Sequence, residues 1–223
     1  TAMADDLHKN TAKGGLAIML SRILGLVREQ GFAAFFGAST AMDAYNVAFR
    51  VPNLLRDLFA AGAMSSAFVT VFSRVKALHG PDRAFAVARK VMTFLGVIVG
   101  LVVIAGVFFS PEISASFAPD FSKIHGKPEM TSRLMAIMFP FLWLVSLSAV
   151  LMGVLNSFGR FGLPALAPSL FNVGNLVIGG LAAWACHLRG IEPIYGMAVG
   201  TVAGGLLQWL LLIPPCRKAG LRL

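Results

Sequence analysis

The hydrophobic positions of this chain fall into six long segments separated by short polar ones. The segments cover residues 14–36, 44–72, 91–110, 133–155, 165–187 and 195–213. Residues 91–109 carry no charge, and a helix of this length crosses about 30 Å of hydrocarbon. Because a bilayer offers no water to the backbone, and because these runs are too long for barrel strands, the pattern predicts an all-α polytopic membrane protein with six transmembrane helices.

The composition supports a membrane protein and disfavours a nucleic-acid partner. Hydrophobic residues make up 57% of the chain and charged residues 13%, with a mean hydropathy of +0.77. A soluble domain has roughly 25% charged residues. The net charge is +9. Because the sequence predicts no soluble basic domain that could bind a nucleic acid, we attribute this charge to membrane topology and to attraction to anionic membrane lipids.

The basic residues between the segments predict the orientation. Six spans put both ends of the chain on one side, where eleven lysines and arginines flank the spans. The opposite side has four, namely Lys123, Lys127, Arg133 and Arg189. Because basic residues accumulate on the cytoplasmic side, both ends are predicted to lie in the cytoplasm.

Four further arginines lie inside the first two apolar segments. They are Arg22, Arg28, Arg50 and Arg56. A charge at the centre of a bilayer costs roughly 2.5–3.5 kcal/mol on insertion scales, so such residues usually line a water-filled cavity. Extension to the interface is one alternative for Arg28 and Arg50, and pairing with the nearby acids Glu29, Asp43 and Asp57 is another. Three acids still leave an excess positive charge, which favours binding of an anion, and several guanidinium forks suit a diphosphate.

Helical spacing places these charges on shared faces. Positions seven apart nearly coincide on a helix, which pairs Arg22 with Glu29. The same spacing puts Asp43, Arg50 and Asp57 on one stripe of the second segment. From the rise per residue, Arg22 and Arg56 lie ~20 Å from the outer ends of their spans. Arg28 and Arg50 lie ~10 Å from those ends.

The second segment, 44–72, is too long for one straight span and contains Pro52. A proline inside a helix removes one hydrogen bond and frees the carbonyl of Ala48. We therefore predict a bend at Pro52 and treat this residue as a candidate hinge.

Small residues predict where helices approach closely. Gly96 and Gly100 form one G-x-x-x-G motif, and Gly196, Gly200 and Gly204 form a tandem one. Such spacing favours packing between helices of the same chain, with dimerisation as the alternative. Two asparagines of the fifth segment are predicted to bond to neighbouring helices rather than to bind substrate. They are Asn172 and Asn175.

The sequence contains no arrangement typical of catalysis or of metal binding. The four histidines are scattered, and the two cysteines do not follow a metal-binding spacing. We therefore predict a protein that is not an enzyme, with no catalytic residue, no metal and no cofactor.

The charged segments resemble a known family. Residues 21–29, SRILGLVRE, and residues 48–56, AFRVPNLLR, resemble the first two helices of the MurJ/MviN lipid II flippases. These flippases belong to the multidrug/oligosaccharidyl-lipid/polysaccharide exporter superfamily. Further similar segments lie at residues 155–157 and 164–168. The resemblance covers nearly the whole chain, and its two charged motifs are specific when they occur together.

This resemblance implies a transport function in the bacterial cytoplasmic (inner) membrane. Such proteins flip lipid II, the undecaprenyl-diphosphate-linked peptidoglycan precursor, from the inner to the outer leaflet by alternating access around an arginine-lined cavity. The resemblance implies that Arg22, Arg28 and Arg56 bind substrate. Arg50 stands where members carry lysine or arginine, and Asp43 matches an acid typical of the family. A polysaccharide-lipid or multidrug exporter of the same superfamily is the alternative.

The chain also departs from the family. It has Ala61 where many members have an acid that pairs with a first-helix arginine, so Glu29 or Asp57 is a candidate substitute in gating. Members often have a proline where this chain has Thr70.

The family has about fourteen helices, so the resemblance covers the N-terminal six-helix lobe of a two-lobe, MATE-like transporter. It implies that a missing C-terminal lobe is a partner. The predicted organisation is a cytoplasmic segment at 1–13, the lobe at 14–215, and a basic cytoplasmic segment at 216–223. Residues left from cloning are one explanation for part of the first segment.

Overall fold

Helices make up most of the chain in the computed structural model, which describes residues 2–61 and 63–221 and their side chains except at 2–14, 17, 60, 61 and 63–65. The α-helices of this part of the chain are α1 (Ala2–Phe36), α2 (Thr40–Arg56), α3 (Ala63–His79), α4 (Pro81–Phe108), α5 (Ser110–Phe117), α6 (Lys127–Ser157), α7 (Gly162–Leu188) and α8 (Ile194–Lys218). A π-helical segment at Asp57–Ala61 follows α2, and a 3₁₀ turn at Pro119–Lys123 follows α5. No strand occurs in these ranges, and the predicted all-α class is confirmed.

Four of the described helices are long and apolar enough to cross a membrane, namely α4, α6, α7 and α8. Helices α6, α7 and α8 contain the fourth to sixth predicted segments, and α4 covers the third except for residues 109 and 110. Helix α6 begins six residues before its predicted start because Pro128 lies in its first turn, where a missing N–H costs no hydrogen bond. The charged helices α1 and α2 are not among these four, so the count of six spans stays a prediction.

The second predicted segment is divided between α2 and α3. Helix α2 continues through Pro52 to Arg56, and the backbone departs from α-helical geometry only at Asp57–Ala61. A π-helical segment widens the helix and often occurs at functional sites. The role of Pro52 as a hinge stays a prediction.

Helix α6 lies at the centre of the bundle. It packs against α2, α4 and α8, and nearly all of its side chains from Leu134 to Leu155 are buried. One apolar cluster joins it to α3, α4 and α8 around Phe72 and Phe85. A second cluster joins it to α1, α2 and α8 around Phe32 and Met138. The buried face of α2 is thus fixed against α6, which determines where the charged face of α2 lies.

Helices α7 and α8 approach each other so closely that only glycine fits at the contact. A Cβ atom added at Gly196 would lie 2.1 Å from the backbone nitrogen of Ala183. One added at Gly200 would lie 2.4 Å from the Cα of Gly179. The tandem glycine motif therefore packs two helices of the same chain, as predicted for internal packing.

Candidate anion-binding cleft

A short turn connects α1 to α2. Helix α1 ends at Phe36, and Gly37 adopts the left-handed conformation with φ 55°. The Ser39 side chain then accepts a hydrogen bond of 3.2 Å from the Met42 N–H, which caps the start of α2. Beside this turn, the space between the two helices forms a cleft of ≈ 460 Å³.

Two of the four predicted arginines line this cleft, Arg28 from α1 and Arg56 from α2. Glu29 is the only carboxylate among the described lining residues, so the lining has a net charge of +1. Much of the remaining wall is aromatic, from Phe32, Tyr45, Phe49 and Phe171. A positive charge beside apolar walls produces a stronger potential than the same charge in open water. The cleft is therefore suited to a small anion with an apolar attachment.

Arg28 is held mainly by an aromatic ring. Its guanidinium lies 5.5 Å from the centre of the Phe171 ring of α7, within the range of a cation–π interaction. Its Nη2 atom lies 3.8 Å from Glu29 Oε1, which is too long for a hydrogen bond. The side chain is 20% exposed. Arg28 is thus oriented by Phe171 while its N–H groups remain uncommitted to Glu29.

Arg56 is paired with the acid that follows it. Its Nε and Nη2 atoms donate hydrogen bonds of 3.1 Å and 2.7 Å to Asp57 Oδ1. The Asp57 side chain is 54% exposed, so this carboxylate remains hydrated. An exposed pair of this kind contributes little to stability. A bound anion therefore has only a weak internal partner to compete with at Arg56.

The ion pairs differ from those that helical spacing predicted. Arg22–Glu29 and Arg50–Asp57, at positions seven apart, were the pairs in the ion-pair alternative to anion binding. In the structure the acids instead lie nearest Arg28 and Arg56, their immediate neighbours in the chain. The long arginine side chain is flexible enough to reach an adjacent residue. Helical periodicity gives only the position of each residue around the helix and does not take this flexibility into account.

The remaining predicted site residues lie elsewhere. Arg22 and Arg50 are exposed and are not among the described residues that line the cleft. Asp43 lies near the start of α2 and contacts α6 rather than an arginine. The structure thus brings together Arg28, Arg56 and Glu29. The binding and gating roles of these residues, like those of Arg22, Arg50, Asp43 and Asp57, stay predictions.

A buried lysine that the sequence analysis placed outside the spans connects α6 to α2. Lys127 is 4% exposed, and its Nζ donates a hydrogen bond of 3.1 Å to Asp43 Oδ2. The same Nζ lies 3.9 Å from the centre of the Phe121 ring. Its burial was not apparent because Gly126 and Pro128 around it have the composition of a turn. In the structure Gly126 remains in the turn and precedes α6, which begins at Lys127 with Pro128 in its first turn.

The two partners of this ion pair are expected to respond unequally to mutation. Asp43→Asn leaves a buried ammonium without its carboxylate, whereas Lys127→Met keeps the apolar volume and leaves an Asp43 that is already 60% exposed. We expect Asp43→Asn to lower the free energy of unfolding by roughly 1–3 kcal/mol and Lys127→Met to lower it less. Denaturant unfolding in detergent measures both.

The exposed pair Lys123–Asp120 provides the matched control. Its Nζ–Oδ1 distance is 2.6 Å and both side chains are more than three-quarters exposed. We expect Lys123→Met to change stability by less than about 0.5 kcal/mol. A larger loss for Lys127→Met than for Asp43→Asn would contradict the assignment of the buried charge.

A polar network behind the cleft holds α2 against α7 and α8. The Tyr45 hydroxyl and Thr201 Oγ1 lie 2.7 Å apart, and Asn175 Nδ2 donates a hydrogen bond of 2.8 Å to the same Thr201 oxygen. Asn172 Nδ2 donates one of 3.2 Å to the Ser21 carbonyl of α1. Both asparagines thus bond to neighbouring helices, as predicted. The network through Tyr45 was not predicted, because nothing in the sequence brings positions 45 and 201 together.

A larger cavity of ≈ 690 Å³ lies beside the same turn, between α1 and α7. Its wall is mostly apolar, and His187 and Glu192 are the ionisable residues of its described lining. It therefore lacks the fixed positive charge that an anion requires. The smaller cleft between α1 and α2 is the better candidate site for a diphosphate.

The fold and the cleft define an α-helical membrane protein with a cationic cleft between its first two helices. Comparison with known proteins identifies the family. The family model described as "Lipid II flippase MurJ" matches residues 32–223, and the chain belongs to this family.

The relatives described next are considerably longer than the chain. The chain is 34% identical to the probable lipid II flippase MurJ of Vibrio cholerae over 225 residues, which cover 96% of this chain and 42% of that protein. It is 36% identical to the lipid II flippase MurJ of Burkholderia cenocepacia, over 90% of this chain and 38% of that protein. A solved structure titled "Lipid II flippase MurJ, inward closed conformation" matches with a TM-score of 0.73 and 29% identity, over 90% of this chain and 41% of that one. The chain thus spans about two fifths of the length of these relatives.

Proposed function

We propose that this chain forms the N-terminal lobe of a lipid II flippase and that the cleft between α1 and α2 binds the diphosphate of lipid II. The observation that carries the proposal is that Arg28 and Arg56, which lie on different helices and 28 positions apart in the chain, line the same cleft. Membership of the lipid II flippase family supports the choice of substrate. The protein acts as a transporter and makes or breaks no covalent bond.

The chemistry of the two arginines fits a diphosphate. A guanidinium stays charged in an apolar environment and offers parallel N–H donors to phosphate oxygens. A diphosphate would bind Arg28 on one side of the cleft and Arg56 on the other. It would neutralise the positive charge of the two arginines that Glu29 and Asp57 leave uncompensated. The aromatic rings beside them lower the local dielectric constant, which strengthens these charge-assisted bonds.

Transport requires that the cleft opens to each leaflet in turn. In the proposed cycle, a second lobe supplied by the rest of the natural protein closes over the cleft, and the lobes rock as rigid bodies. The π-helical segment Asp57–Ala61 directly follows Arg56 and supplies irregular backbone next to the site. Pro52 remains a candidate hinge in the same helix.

The proposed location is the bacterial inner membrane, with both ends of this chain in the cytoplasm. The distribution of basic residues supports this orientation. Arg83, Arg89 and Lys90 near the start of α4 would then face the cytoplasm together with Arg217 and Lys218 at the end of α8.

Transport by the intact natural protein in vesicles tests the substrate. We expect fluorescent lipid II to move between leaflets, and expect an excess of a polyprenyl diphosphate to inhibit this movement more strongly than the matching polyprenyl monophosphate. Movement of a drug panel or of polysaccharide-linked lipids without movement of lipid II would instead support the exporter alternative, which the comparisons do not favour.

A further inference from the structure

A second groove lies on a different face of the bundle, between α4, α6 and α8. Its volume is ≈ 580 Å³. None of its described lining residues belongs to α1, α2 or α7, which carry the anion-binding cleft and the ring beneath Arg28. The groove is therefore separate from the proposed substrate site.

Two tryptophans form the inner wall of this groove. The ring centres of Trp143 on α6 and Trp209 on α8 lie 6.4 Å apart. Trp143 Nε1 donates a hydrogen bond of 2.9 Å to the Gly96 carbonyl of α4, which fixes the orientation of its ring. Val97 and Ile213 extend the wall on either side. The interior of the groove is thus apolar and has a defined shape.

The mouth of the groove is positively charged. Arg89 on α4 and Arg217 on α8 line it, and both side chains are exposed. Lys90 lines a shallower groove of ≈ 460 Å³ that shares Arg89 with the first. The described lining of the two grooves includes no carboxylate, and none of the ion pairs found among the described residues uses these three cations. The positive charge at the mouth is therefore unbalanced.

The dimensions of the groove match one leaflet of a bilayer. From Arg89 to Val97 on α4, and from Arg217 back to Trp209 on α8, the chain advances eight residues, or about 12 Å. Half of a hydrocarbon core is about 15 Å. With the mouth at the level of the lipid headgroups, as the charge-free stretch 91–109 that follows Lys90 favours, the tryptophan wall would reach toward the middle of the membrane.

We propose that this groove binds one anionic phospholipid of the leaflet at the basic ends of α4 and α8. The lipid phosphate binds Arg89 and Arg217, and one acyl chain lies along the wall formed by Trp143 and Trp209. An anionic lipid is favoured over a zwitterionic one because the described lining of the mouth has no acid to receive a headgroup ammonium. Basic pockets between transmembrane helices on the cytoplasmic side commonly hold anionic lipids.

Photolabelling of the intact natural protein in vesicles tests the site. The probes are phosphatidylglycerol and phosphatidylcholine that carry the same photoactivatable group on one acyl chain, each added in trace amount to phosphatidylcholine vesicles. Peptide mass spectrometry then locates the adducts. We expect phosphatidylglycerol to label the peptides that contain residues 92–97 and 209–213 several-fold more than phosphatidylcholine does. Both lipids should label the lipid-facing Leu101 and Ile104 equally.

Matched variants separate the lipid site from a general effect of charge. The double variant Arg89→Gln/Arg217→Gln should reduce labelling of the groove by phosphatidylglycerol at least fivefold. The loss of one basic residue near a membrane surface already has about that effect. The double variant Arg89→Lys/Arg217→Lys should restore most of it. Arg83→Gln removes a charge from an exposed position of α4 outside the groove and should leave it unchanged.

Three outcomes would overturn the proposal. Equal labelling of the groove by both lipids would show a surface without headgroup selectivity. Undiminished labelling in the glutamine double variant would show that the two arginines do not bind the phosphate. Absence of groove labelling by either lipid would show that another part of the natural protein covers this face. None of these outcomes depends on whether lipid II is transported.

Discussion

Replacing Arg28 or Arg56 by alanine is expected to reduce lipid II translocation by the intact protein at least tenfold. Hydrogen bonds to charged groups are worth about 1.5–3 kcal/mol each, and a fork that binds phosphate makes more than one. The measurement is the initial rate of fluorescent lipid II movement in vesicles that contain equal amounts of each variant. The reduction should persist at raised lipid II concentration if both arginines also act on the bound lipid during the lobe movement.

The same variants are expected to insert and fold normally. Arg28→Ala leaves a Glu29 side chain that is 69% exposed, and Arg56→Ala leaves an Asp57 side chain that is 54% exposed. Both carboxylates can therefore be hydrated, and no buried charge is left unpaired. Thermal unfolding in detergent checks that any loss of transport arises at the cleft rather than from loss of the fold.

Lysine substitutions test the guanidinium geometry. Arg28→Lys and Arg56→Lys keep the positive charge but remove the planar fork, so we expect translocation rates between those of the wild type and the alanine variants. Arg74→Ala removes an exposed arginine of α3 and serves as the control. Wild-type rates in both alanine variants at the cleft would remove the site proposal, as would an equal loss in Arg74→Ala.

The class of fold and two members of the site could be predicted from the sequence because both depend on simple physical quantities. Uninterrupted apolar runs determine which segments can lie in a bilayer, and α4, α6, α7 and α8 coincide with the last four runs that were predicted, apart from a few terminal residues. The cost of burying charge in such runs points to four arginines, of which Arg28 and Arg56 line the cleft. The proximity of these two residues depends on the turn at Gly37, which the sequence marks with small residues.

The features that the sequence did not predict depend on contacts between distant positions. The ion pair of Lys127 with Asp43 joins positions 84 apart, and the network of Tyr45 with Thr201 joins positions 156 apart. Helical periodicity gives the face of a residue on its own helix and says nothing about its partner. Arg22 and Arg50 show the same limit, since both lie in charged apolar segments and yet lie outside the cleft.

Gly200→Ala is expected to destabilise the contact between α7 and α8 strongly. The added Cβ would lie 2.4 Å from Gly179 Cα and 2.8 Å from the Asn175 carbonyl oxygen, and both are backbone atoms that cannot rotate away. The helices must separate, which also strains the bonds of the adjacent Thr201 with Tyr45 and Asn175. We expect the free energy of unfolding in detergent to fall by at least about 2 kcal/mol, together with weaker lipid II binding.

Gly180→Ala on α7 is the matched control, because a Cβ at this position would meet no atom within 4 Å. Alanine favours a helix over glycine by up to roughly 1 kcal/mol, so this variant should be as stable as the wild type or slightly more stable. The two substitutions add the same methyl group to the same helix pair and differ only in the space available. Equal effects on unfolding would contradict the close packing of α7 against α8.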